Sequence, residues 1–276
     1  MPTKILLTND DGIRAPGLVA LFETICDFKN ILGGPLGGRG STVDVMAPLT
    51  VQSATSHGVT FHQPLMIEQV RVRDFLTGTA IDGRPADCVK LGVECLWSEK
   101  YGANSRPDLV ISGMNAGANC GINTIYSGTV AAAIEAAFLG IPSIAISLQL
   151  STGQPRFDIA ARFARKVLNR ILADGLPDPH ECLSINIPAT EAEMDMPEVV
   201  VCPMNCHGLV DKFEKRVSPR NEPYYWATGH GLDFRTVDQG SDVEQLLKEK
   251  RITITPLSYD LTARDKLEKW AARIGK

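Results

Sequence analysis

Five short aliphatic runs, KILLT (4–8), VDVMAP (43–48), LVISG (109–113), SIAIS (143–147) and LSINIP (183–188), are separated by longer stretches with helical period. Runs of this length and apolarity fit strands covered by helices on both faces, as in a parallel sheet. The intervening GLVALFETICDF (17–28), PADCVKLGVECLW (85–97), VAAAIEAAFLG (130–140) and FDIAARFARKVLNRIL (157–172) supply the crossovers. Pro85 suits a first helical turn and Gly140 the position just past a helix end. The alternation predicts an α/β fold, a parallel sheet flanked by helices.

After about residue 190 the texture becomes polar, with isolated strand patterns EVVVCP (198–203) and RITITPL (251–257) and an amphipathic stretch DLTARDKLEKWAARIG (260–275). We expect residues 1–190 to form the α/β core and 191–276 a β-rich extension with a C-terminal helical arm, not an independent domain. NILGGPLGGRGST (30–42), rich in glycine and without apolar period, reads as an exposed loop before the second strand.

With 44% hydrophobic and 22% charged residues over 276 positions, the chain can bury a full core. The net charge of -4 is spread along the sequence, which argues against a nucleic-acid duplex or an anionic membrane as partner. The first fifteen residues lack a signal-peptide pattern and no apolar run approaches a membrane span, so the expectation is a cytoplasmic protein. Seven scattered cysteines fit reduced thiols.

In open α/β sheets, ligands bind at the carboxyl ends of strands near a switch in strand order. Three stretches fall there: NDDG (9–12), LTVQSATSHG (49–58) and MNAGANCG (114–121). Adjacent acids ending a buried strand repel one another unless something neutralises them. Asp10, Asp11, the amide oxygen of Asn115 and a hydroxyl from the 49–58 loop, Ser53 or Ser56, make a set of hard oxygen donors. Such a set prefers Mg²⁺, Mn²⁺ or Ca²⁺ to Zn²⁺. Singly, each acid also suits a helix cap and Asn115 a glycine turn.

In YSGTVAAAIEAAFLG (126–140), Ser127, Gly128 and Thr129 precede an alanine-rich helix whose unpaired N–H groups and dipole favour a phosphate, although the same residues serve as a plain N-cap. A cation facing an anion-binding helix start suits an enzyme that stabilises charge on a phosphoryl group. The P-loop G-x-x-x-x-G-K-[ST] and the dinucleotide fingerprint G-x-G-x-x-G are both missing from the sequence. Cys202, Cys206 and His207 lack the second ligand pair of a zinc site. Tyr224, Tyr225 and Trp226 suit nucleobase stacking or a packing or subunit contact. His57, His62, His180, His207 and His230 read as solvated loop residues.

Taken together, ILLTNDDGIRAPGL, VMAPLTVQSATSHGVT, TGTAIDGRPADCVKLG, PDLVISGMNAGANCGINTIYSGTVAAAIEAAFLGIPSIAIS, SINIP, PRNEPYYW and ITITPLSYDLTA resemble the SurE family in content and order. These are the stationary-phase survival proteins, metal-dependent 5′- and 3′-nucleotidases. The resemblance implies a Rossmann-like α/β core with a β-hairpin or swapped C-terminal arm, assembled as homodimers or homotetramers. It implies one divalent cation per subunit, Mg²⁺ or Mn²⁺ with Ca²⁺ possible in crystals, held by Asp10, Asp11, Ser53 and Asn115. The choice of Ser53 over Ser56 rests on it.

Phosphate contacts from Asn119 and Ser127, with Gly128 and Thr129 completing the helix start, are implied likewise. So are nucleoside monophosphates as substrate and occasional activity on short polyphosphate. Three departures bear on substrate preference: Arg84 stands where a small hydroxyl residue usually caps the next helix, the 30–42 loop is long, and LTVQSATS lacks an arginine and a glycine seen in many members. Two further readings differ in class: a covalent aspartyl-phosphate, although Asp-Asp-Gly differs from the Asp-x-Asp of that chemistry, and a non-catalytic nucleotide sensor.

Overall fold

The structure is a computed structural model and describes residues 2–191, 194–228 and 232–275. In chain order its elements are β1 (Lys4–Thr8), α1 (Pro16–Cys26), β2 (Thr42–Pro48), β3 (Ile67–Arg73), β4 (Leu76–Ile81), α2 (Pro85–Leu91), α3 (Trp97–Tyr101), β5 (Leu109–Ala116), α4 (Gly128–Phe138), β6 (Ser143–Leu148) and α5 (Phe157–Ile171). There follow β7 (Cys182–Ile187), β8 (Val199–Val201), β9 (Phe213–Val217), β10 (Pro223–Ala227), α6 (Asp242–Leu247), β11 (Ile252–Leu257) and α7 (Leu267–Ile274). A wide turn, Gly92–Leu96, joins α2 to α3, and a 3₁₀ segment, Gly121–Tyr126, precedes α4.

Nine strands form one twisted sheet in the order β3-β4-β2-β1-β5-β6-β7-β11-β8. The strands from β4 through β7 run parallel, whereas β3 pairs antiparallel with β4 and β11 antiparallel with β7. Alternation along β1 sorts its side chains to opposite faces. Ile5 and Leu7 enter the cluster that includes Leu18, Leu21, Ala160 and Leu168 of α1 and α5. Leu6 packs with Cys88, Val89, Trp97, Ala132 and Ala136 of α2, α3 and α4.

The five expected strands and four crossover helices are present within one or two residues at most ends. Three expectations change. The β3–β4 hairpin was not anticipated, because IEQVRVR buries only Val70 and Val72 and reads as polar. The 30–42 loop is pinned down: Asp27 accepts N–H bonds from Ile31, Leu32 and Gly34, and Leu36 is buried in the core. β8 and β11, from beyond residue 190, extend the core sheet itself. Strand pairing that satisfies the backbone groups of β7 and β11, together with packing of Ile252 and Ile254 in the core, draws them in.

β9 and β10 form a separate two-stranded ribbon with every residue exposed, Tyr224, Tyr225 and Trp226 included. The helical part of the 260–275 stretch begins only near Arg264, and α7 leaves Leu267, Trp270 and Ile274 open to solvent.

Candidate active site

The connection from β1 leads to β2 on one side, while β5 lies on the other, so the strand order reverses between β1 and β5. At this switch the carboxyl ends of two parallel strands leave a crevice. β1 and β5 run in register from Ile5 opposite Leu109 to Thr8 opposite Ser112; β1 ends there and its chain turns out of the sheet, while β5 continues beside β6 to Ala116 opposite Leu148. Gly12, at φ +92°, allows the sharp reversal after Asp11, and Asn9 Nδ2 braces it by donating to the Gly12 carbonyl at 2.9 Å.

The turn presents two unequal carboxylates. Asp10 is buried and accepts the hydroxyl proton of Thr129 on Oδ1. Burial, aided by the charge of Asp11 and opposed by the Thr129 hydrogen bonds, pushes its carboxyl from 3.8 up to about 6. Asp11 is less enclosed. Burial raises it too, with partial relief from the Ala116 N–H, which donates to Oδ2 at 2.8 Å across the β1–β5 gap. Among the described residues neither carboxylate forms an ion pair with a Lys, Arg or His.

Asn115, at the end of β5, donates Nδ2 to the Gly117 carbonyl at 2.8 Å, which leaves Oδ1 without a partner among the described residues. The 49–58 loop is stitched to the same corner by the Gln52 N–H, 2.7 Å from the Asp10 carbonyl. Its two serines differ. Ser56 donates its hydroxyl to the Ile125 carbonyl at 2.7 Å, whereas Ser53 is exposed and forms no hydrogen bond among the described residues.

The start of α4 closes the corner. Ser127 is the N-cap, accepting the Val130 N–H on Oγ at 3.1 Å. Gly128 is dictated by close approach, since a Cβ there would lie 2.9 Å from Asp10 Cβ and 3.0 Å from Pro85 Cγ. The sequence places Thr129 toward an anion, but its hydroxyl and N–H both serve Asp10. Asn119 is buried by a polar brace: its N–H donates to Asn186 Oδ1 at 2.8 Å, its carbonyl accepts from Asn186 Nδ2 at 3.0 Å, and its own Nδ2 donates to Ser147 Oγ at 2.8 Å.

Asp10 is thus hydrogen-bonded to the helix start, Asp11 to the Ala116 N–H beside Asn115, and Ser53 is held through its neighbour Gln52. Two carboxylates, an amide oxygen and a hydroxyl suit a hard divalent cation, and paired carboxylates lacking a cationic neighbour carry the charge it would neutralise. The residues fit such an ion.

Sequence reasoning missed the bracing residues. Asn186 is signalled by an amide inside the apolar LSINIP run, and Asp242 joins the site's edge by accepting the N–H groups of Gly121 and Asn205. His57 is an exposed loop residue, as expected, but it is not free: a buried carboxylate, Glu135, holds Nε2 at 2.8 Å. His180 contacts the Ala137 carbonyl and Tyr259 hydroxyl, and His207 pairs with Asp238, so they too are engaged; His62 is exposed and His230 lies outside the described residues.

Arg84 makes no side-chain cap, yet α2 is still tied at its start by Asp87, which accepts the Arg84 N–H at 2.9 Å. Cys202 is buried while Cys206 is exposed, and no cluster of three His, Cys, Asp or Glu side chains suited to a metal occurs among the described residues.

A model of the family described as Survival protein SurE matches residues 5–208. The chain belongs to the SurE family. It is 38% identical to a protein named 5′-nucleotidase SurE from Syntrophobacter fumaroxidans, across 97% of this chain and 99% of that one. A Geotalea daltonii protein of the same name is 40% identical, with 97% and 98% covered. The crystal structure of the SurE protein from Aquifex aeolicus superposes with a TM-score of 0.78 at 30% identity, covering 98% of this chain and 99% of that chain. This agrees with the Rossmann-like sheet expected from the resemblance.

Proposed function

We propose that this chain is a divalent-metal-dependent phosphomonoesterase that hydrolyses nucleoside monophosphates, chiefly at the 5′ position, to nucleoside and phosphate. The observation that carries this reading is the pair of buried Asp10 and half-buried Asp11, without an ion-pair partner among the described residues, set against the capped start of α4. The names of the relatives support it.

Asp10, Asp11, Ser53 Oγ and Asn115 Oδ1 would hold one cation, Mg²⁺ or Mn²⁺, with Ca²⁺ as a possible occupant in crystals. When bound, such an ion neutralises phosphate charge and acidifies a water. Asn119 Nδ2, the Ser127 hydroxyl and the Gly128 N–H bind the phosphate oxygens and stabilise the charge that grows on them. Thr129 orients Asp10, so its phosphate role is indirect. Asp10 or Asp11 takes the proton of the attacking water. The P–O bond to the nucleoside oxygen breaks opposite that water and the departing oxygen takes up a proton from solvent, while Gly128 keeps the helix start close to Asp10 so that both act on one phosphate.

Activity on 3′-nucleotides and short polyphosphate belongs to the same reading. We read the chain as cytoplasmic, on its seven unpaired thiols; no helix is long and apolar enough to cross a membrane among the described residues. Residues 191–276 would serve assembly into a homodimer or homotetramer, a use suggested by the open aromatic ribbon and the apolar stripe of α7.

Release of phosphate from AMP with Mn²⁺, abolished by EDTA, is the test. Tight AMP binding without release would make the protein a sensor instead, and a trapped aspartyl-phosphate would replace water attack by covalent catalysis.

A further inference from the structure

Glu135 lies in the middle of α4, and its side chain is only 6% exposed. Its two oxygens are engaged separately: Oε1 accepts from Lys90 Nζ at 2.9 Å and Oε2 from His57 Nε2 at 2.8 Å. Lys90 comes from α2, which packs on α4, and already offers a counter-charge. His57 comes from elsewhere, the loop that carries Ser53.

That loop follows a costly path. Ala54 and Ser56 sit at φ +55° and +54°, a region that residues with a Cβ adopt only when surrounding contacts hold them there. The restraints are few and specific. Gln52 is tied to the Asp10 carbonyl, Ser56 to the carbonyls of Ile125 and Tyr126, and His57 to Glu135. Gly58 lies so close beneath Arg84 that a Cβ would be 2.0 Å from Nη1. Ser53 falls between these anchors.

We propose that the Glu135–His57 pair is a positioning clamp that fixes the Ser53 turn against the helix starting at Ser127, and thereby sets the affinity of the site for a divalent cation. This rests on the metal-site reading above. The pair acts through Ser53 and touches neither cation nor phosphate. A group that donates at the position of Nε2 can replace the histidine; an apolar one cannot.

The experiment measures Mn²⁺ binding directly, from the electron paramagnetic resonance signal of free Mn²⁺, for wild type, His57→Leu and His57→Gln, with Tm recorded in EDTA. Loss of an outer partner of a metal site typically weakens affinity by about 10-fold or more, which is the change expected for His57→Leu. His57→Gln should stay within about 3-fold of wild type, because glutamine restores the donor. In a Ser53→Ala background the His57→Leu change should vanish, since the clamp then has nothing to position.

Unchanged affinity in His57→Leu overturns the clamp while leaving the metal site standing. So does equal weakening in both His57 variants, or a loss that persists without Ser53, or a lower Tm in EDTA with no change in affinity. Wild-type protein that binds no Mn²⁺ overturns the metal site and the clamp together.

Discussion

Two buried carboxylates lie along α4, Asp10 from the β1 turn against its start and Glu135 in its middle, and the two are treated oppositely. At its start, Asp10 is enclosed beside Asp11 with no cation at hand among the described residues, and burial drives its carboxyl up to about 6. In its middle, Glu135 is also pushed up by burial, but hydrogen bonds from His57 and Lys90, with the charge of Lys90, more than offset this and hold it below 4.5. A carboxylate whose charge is balanced within the fold stabilises that fold; one left unbalanced at a strand end is a demand on something from outside.

The sharpest way to break this contrast is Asp11→Asn. Phosphate release from AMP with saturating Mn²⁺ is expected to fall at least about 100-fold in kcat/KM, about 2.7 kcal/mol of transition-state stabilisation. A loss of only a few-fold would remove Asp11 from the site.

The next test uses acid on metal-free protein. Asp10 has a folded pKa above its unfolded value, so its charge weakens the fold above about pH 6, and that weakening disappears as pH falls from about 6 toward 3.8. The effect amounts to about 3 kcal/mol at neutral pH. Asp10→Asn should therefore raise the urea midpoint of the metal-free protein at pH 8 and leave it little changed at pH 4. Mn²⁺ at about 100 times its Kd should stabilise the wild type by about 2.7 kcal/mol and Asp10→Asn far less.

Glu135 should respond with the opposite sign. Its folded pKa is lowered, so its contribution is present above 4.5 and is lost as pH falls through the folded value. Glu135→Gln is expected to cost about 2 kcal/mol at pH 7, the scale of a hydrogen bond to a charged group, and less in acid. A pH-independent loss would mean that shape, not charge, matters there. The smallest effect is expected at Trp226→Ser, within about 0.5 kcal/mol for the isolated subunit, since its side chain is exposed on the ribbon.

Much of the fold was legible because the central strands are covered on both faces. LVISG and SIAIS admit few polar residues, so apolarity alone marks them. The β3–β4 hairpin was harder to read, since an edge strand needs only alternate apolar residues, and Val70 and Val72 stand among charged neighbours. At the site, Asp10, Asp11 and Asn115 were legible as polar residues ending apolar strands. The distinction between Ser53 and Ser56 was not, because both lie in one loop; Ser56 spends its hydroxyl on Ile125, which is 69 positions away in sequence.

By itself the amino-acid sequence determined the alternation of strand and helix, the positions of the strand ends, and the presence of two adjacent acids where a strand leaves the core. These follow from local periodicity and from the cost of burying charge, which act over a few residues. Only the tertiary structure decided that Thr129 serves Asp10, that Asn186 holds Asn119, and that Glu135 reaches the loop carrying Ser53. Those pairings join residues 119, 67 and 78 positions apart. Contacts at such separations depend on which strands become neighbours in the sheet, and no local pattern records that choice.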